Sequence, residues 1–115
     1  MKDLTSLRER YLQDSLPIRL GGIAANLARI NSFSHQEAHR EVIEYLLEES
    51  KWLIEWTARD ADTEQAANLV ELQLQLAQWQ HQWNKIWEDP EQRQILREQS
   101  QRWSERILTM SGLLE

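Results

Sequence analysis

The chain has 115 residues, a length suited to one domain spanning 1–115 and sufficient to bury a single core. Thirteen Lys and Arg against nineteen Asp and Glu give a net charge of −6, with the bases scattered among acids, so the counterion release that drives binding to nucleic acid or an anionic membrane has no source. No cysteine occurs, which excludes a disulfide framework, a thiolate nucleophile and a thiolate metal site, and fits a reducing cytoplasm.

The first ten residues lack the apolar core of a signal peptide, and nowhere do about 18 apolar residues run together, so a soluble, intracellular chain is expected. Three Gly and two Pro leave few turns for hairpins, while Leu, Glu, Gln, Arg and Ala favour helix. The expectation is an all-α protein with four helices.

The first predicted helix covers roughly residues 3 to 31, with Leu4, Leu7, Tyr11, Ile18, Ile23, Leu27 and Ile30 in its apolar pattern. Pro17 interrupts it, because an interior proline loses a helical hydrogen bond and clashes one turn back. A kink or break is therefore predicted near Ser15, with Pro17 and Gly21-Gly22 as a candidate hinge. The small run Gly21, Gly22, Ala24, Ala25 and Ala28 is expected to make room for indoles from the third helix.

The second predicted helix, about 35 to 59, starts at the capping box Ser34-His35-Gln36-Glu37. Val42, Ile43, Leu46, Leu47, Leu53 and Ile54 form its main apolar face, and Tyr45, Trp52 and Trp56 stack on an adjoining edge. The apolar arc is wider than that of an ordinary surface helix. Such a surplus needs a partner, either a neighbouring helix or another chain.

The third predicted helix, about 62 to 87, has N-cap candidates in Asp60 and Asp62. Leu69, Leu72, Leu76, Trp79, Trp83 and Ile86 alternate spacings of three and four, the rhythm of a bundle seam. Val70, Leu74 and Ala77 form a second, narrower apolar flank. The fourth predicted helix, about 90 to 111, opens on Asp89-Pro90-Glu91-Gln92, with Asp as cap and Pro at the first helical position, and stops near Gly112. Its seam reads Leu96, Trp103, Ile107, Met110 and Leu114. Similar lengths and short loops favour an up-down-up-down four-helix bundle, with helix 1 kinked or broken near Pro17.

Six tryptophans in 115 residues carry most of the remaining information, each bringing a large apolar payload. Trp79, Trp83 and Trp87 follow the third seam and are expected in the core, with Trp103 filling from the fourth helix. Trp52 and Trp56, with Tyr45, are expected at an interface, where Trp and Tyr are enriched. Stacking of single-stranded bases on the indoles is opposed by the negative charge.

Catalytic chemistry finds little support. The acids Glu41, Glu44, Glu48 and Glu55 share an arc with Arg40, Lys51 and Arg59 and read as a solvated face. There is no Ser-His-Asp arrangement, HExxH, ExxH or Gly-rich phosphate loop. His35 and His39 stand four apart, a spacing that can present two imidazoles to one metal ion, with Glu41 or His81 as a further ligand.

The blocks Arg10-Tyr11-Leu12-Gln13-Asp14-Ser15-Leu16-Pro17-Ile18-Arg19-Leu20-Gly21-Gly22-Ile23-Ala24 and Ser50-Lys51-Trp52-Leu53-Ile54-Glu55-Trp56 resemble small, uncharacterised all-helical bundle proteins of cyanobacteria. The resemblance implies a helical bundle without assigning an activity or any functional residue. The expected function is a non-enzymatic, cytoplasmic, tryptophan-rich bundle acting through protein–protein contacts, as homodimer or accessory subunit, through Tyr45, Trp52 and Trp56. No cofactor, nucleic acid or membrane is expected. The competing expectation is a metal- or small-ligand-binding bundle using His35, His39 and His81.

Overall fold

Caps and prolines set the element boundaries in the computed structural model, which describes residues 3–114. These residues form α1 (Leu4–Leu12), α2 (Leu16–Phe33), a 3-10 turn (Glu37–His39), α3 (Arg40–Ala58), α4 (Thr63–His81), α5 (Trp83–Glu88) and α6 (Pro90–Ser111), with no strand among them. Asp3 caps α1 by accepting from the backbone of Thr5 and Ser6. Asp62 and Gln65 close a reciprocal capping box on α4, and Asp89 caps α6 with Pro90 in its first turn. No helix among the described residues is long and apolar enough to cross a membrane.

The architecture is all-helical, with six helices where four were expected. The first predicted helix divides between Leu12 and Leu16, and Ser15 is extended at ψ 159°. Pro17 thereby falls in the first turn of α2, where its missing N–H costs nothing. Ser34 does not open the second helix. It ends α2, its hydroxyl donating to the Asn31 carbonyl at 2.8 Å, so the chain turns through Glu37–His39 before α3 begins. The third predicted helix bends at Gln82, which lets Trp79 reach Gln99 on α6 while Trp83 reaches Glu44 on α3.

Helix α2 is central, packed along α6 on one side and α3 on the other; α4 lies against α3, α5 against α6, and α1 against α3. The radius of gyration is 13.9 Å, close to the roughly 13 Å of a compact fold of this length. Leu20, Ile23, Leu27, Ile43, Leu69, Leu72, Leu76, Leu96 and Ile107 are sealed from solvent where the long helices meet.

The α2–α6 seam differs from its prediction. Ser100, Ser104 and Ser111 line the buried side of α6 with Leu96 and Ile107, while Trp103 and Met110 sit at its margin. Ser104 Oγ donates to the Ala24 carbonyl at 2.7 Å, a bond a short side chain can make only where two helices run close together. The small run of α2 thus serves approach to α6, and the expected pairing with indoles is corrected. Gly21 faces Leu113, whose Cδ1 would lie 2.7 Å from an added Cβ, and Gly22 faces Tyr11. Gly112 adopts a left-handed φ of 81°, which ends α6 and sends Leu114 outward, 70% exposed.

Candidate interaction surfaces

The break before Pro17 frees α1 to fold back over the edge of α3 where the sequence showed surplus apolar width. Tyr11 is the anchor. Its ring centroid stands 6.1 Å from that of Trp56, and its hydroxyl lies 2.8 Å from both the Arg19 carbonyl and Thr57 Oγ1. Burial is the largest influence on this phenol and pushes its pKa up to about 12, against the partial opposition of the Thr57 hydrogen bond. Nearby, the buried Arg19 donates to Asp60 at 3.0 Å, a role for Asp60 that capping arguments did not show.

The expected interface trio separates in this setting. Trp56 is buried, 7% exposed, beneath Tyr11. Trp52 stacks on Trp56 with centroids 6.1 Å apart and is half-buried. Tyr45 remains 43% exposed and donates to Glu49. Tyr45 and Trp52 join Leu4, Leu7, Glu48 and Glu49 around a cleft of about 290 Å³ between α1 and α3. Val42, expected on the main face, is 41% exposed.

The other ladder is internal. Trp79, Trp83 and Trp87 are all buried, and each has a polar or charged neighbour. Trp79 Nε1 donates to Gln99 at 3.3 Å and Trp83 Nε1 to Glu44 at 2.7 Å, while Arg93 lies over the Trp87 ring at 5.4 Å. Glu44 is therefore an indole acceptor rather than a purely solvated acid, a pairing across 39 positions that local spacing does not reveal. Trp103 is half-buried beneath Arg106, 4.4 Å from its centroid.

The histidines are not brought together. Among the described residues no three His, Cys, Asp or Glu side chains gather into a group able to hold a metal ion. The stretch after Ser34 is not regular α-helix, so the four-residue spacing of His35 and His39 does not set them on one α-helical face. His35 is exposed in the turn, His39 ends the 3-10 segment edge-on to Phe33 at 5.0 Å, and His81 is exposed at the end of α4.

One surface was visible only as a narrow flank in the sequence. Val70 is 57% and Leu74 67% exposed, and Ala67 and Ala77 are exposed beside them on α4. At 100° per residue this stripe points away from the buried Leu69, Leu72, Leu76 and Trp79. With these surfaces defined, no family model, curated protein or solved structure gives a significant match to the chain.

Proposed function

We propose that this protein is a non-enzymatic cytoplasmic module that acts through protein–protein contacts, as a homodimer or an accessory subunit, with α2, α3, α4 and α6 forming an up-down-up-down bundle. The observation that carries the reading is the α1–α3 cleft, in which Leu4, Leu7, Tyr45 and Trp52 surround an apolar recess rimmed by Glu48 and Glu49. A recess of this kind receives a large apolar side chain. The contact set narrows from Tyr45, Trp52 and Trp56 to Tyr45 and Trp52, because Trp56 already has Tyr11 above it.

Cross-linking mass spectrometry in extract of the native source tests this reading, with wild type compared against Trp52→Ala and Tyr45→Ala. A partner cross-linked near residues 4–7 and 45–52 is expected, with recovery reduced at least about tenfold by Trp52→Ala. Recovery insensitive to both substitutions would defeat the proposal.

A further inference from the structure

We infer that the outer face of α4 is a self-association surface on which a second copy of this chain docks its own α4, antiparallel, about a two-fold axis level with Leu72. The inference rests on the reading that the protein acts through protein contacts, but it uses a surface on a different helix from the Trp52 cleft, so each can fail alone.

The outward stripe reads Thr63, Ala67, Val70, Leu74, Ala77 and His81, alternating mostly steps of three and four, the spacing of a helix-pairing seam. Val70 and Leu74, 57% and 67% exposed, are its centre, with smaller residues on either side. An isologous interface requires a patch to complement itself under a two-fold rotation. The order of this stripe meets that requirement in the antiparallel sense. With the axis at the level of Leu72, Val70 faces the partner's Leu74, Ala67 faces the partner's Ala77, and Thr63 faces the partner's His81. Large meets large at the centre, and alanine meets alanine on either side of it.

Charge points to the same occupant. The chain carries −6, so two copies repel except where their surfaces are neutral or opposed. Helix α4 contains no Lys or Arg and only two acids, Glu64 and Glu71. Glu71 is tied to Arg106 of the same chain at 3.0 Å, and Gln73, Gln78 and Gln80 complete the flanks. The antiparallel arrangement keeps the acidic first turn, Asp62 and Glu64, a helix length away from the same turn of the partner. A parallel pairing would instead put acid beside acid.

A single pair of 19-residue helices is about 28 Å long and falls at the small end of specific interfaces, so a dissociation constant on the order of micromolar is expected. Sedimentation of the full chain from about 1 to 300 µM should show a monomer–dimer equilibrium. Leu74→Glu, at a solvent-exposed position of the monomer, should weaken it at least about 100-fold while leaving the melting temperature of dilute protein unchanged. The chain has no native cysteine, so disulfide trapping reports orientation cleanly. A mixture of Ala67→Cys and Ala77→Cys chains should cross-link one to the other far faster than either variant links to itself. A strict monomer across this range overturns the proposal, as does self-linking of Ala67→Cys in preference to the mixed product. A dimer indifferent to Leu74→Glu also overturns it; if Trp52→Ala abolishes that dimer instead, the α1–α3 cleft is the contact.

Discussion

The α2–α6 seam and the indole-filled part of the core are built by opposite means. Toward α6 the chain uses its smallest residues: Ala24 meets Ser104 directly, Gly21 receives Leu113, and Ser100 and Ser111 are buried on the same side of α6. Elsewhere volume comes from Trp52, Trp56, Trp79 and Trp83, whose indoles fill the spaces around α1, α3, α4 and α5, with Trp79 also reaching Gln99 on α6. A close seam tolerates no added volume, whereas an indole-filled space tolerates no loss of it, and the same fold therefore has two distinct ways of being damaged.

The largest contrast is expected at the indoles. Trp79→Ala removes a buried side chain and its bond to Gln99, and should lower stability by about 3–5 kcal/mol in urea denaturation. A change much smaller than that would mean the indole side collapses easily, and the comparison would lose its basis. Adding volume at the close seam comes next. Ser100 is fully buried and donates to the Arg97 carbonyl, so Ser100→Leu should cost about 1–3 kcal/mol through overpacking although it increases hydrophobicity. Stabilisation by this substitution would show that the α2–α6 seam is looser than its hydrogen bond implies.

Tyr11 sharpens the picture on the α1 side. Its phenol is held protonated up to about pH 12, above its ordinary value near 10, so its stabilising contribution is complete below pH 10 and drains away as the pH rises through 12. That loss amounts to about 2–3 kcal/mol. Tyr11→Phe should cost about 1 kcal/mol at neutral pH and flatten the wild-type decline between pH 10 and 12, as measured by denaturation at pH 9 and 11.5. The smallest effect is expected at Gly22, where an added Cβ would meet only the Tyr11 ring at 3.8 Å. Gly22→Ala should raise stability by about 0.5–1 kcal/mol through helix propensity, and a loss would reveal a tighter α1–α2 contact.

Much of this architecture was legible in local chemistry. Asp62, Asp89, Pro17 and Gly112 mark real boundaries, and the spacing of Leu69, Leu72, Leu76 and Trp79 identifies the buried side of α4. Long-range polar partners were not legible. Serines at 100, 104 and 111 read as solvent-facing to any hydrophobic periodicity, yet all three are buried: Ser104 donates to the Ala24 carbonyl of α2, while Ser100 and Ser111 donate to carbonyls of their own helix. Ser34 matched a capping box and instead bonded backward to Asn31, since a hydroxyl can satisfy either neighbour. The stripe at Val70, Leu74 and Ala77 reads as a flank in the sequence, but only the placement of α4 shows that, among the described residues, no other helix covers it.

The bond from Ser104 to Ala24 spans 80 positions in the chain, and it joins the central helix α2 to α6, which is translated well after it. During synthesis α2 emerges early, with its small-residue side unmatched until α6 has been translated. Closing so long a loop carries an entropic cost that the α2–α3 and α3–α4 pairings, closer in sequence, do not share. The α2–α6 seam is therefore expected to close after those pairings, leaving the nascent chain dependent on the α1–α4 contacts until then.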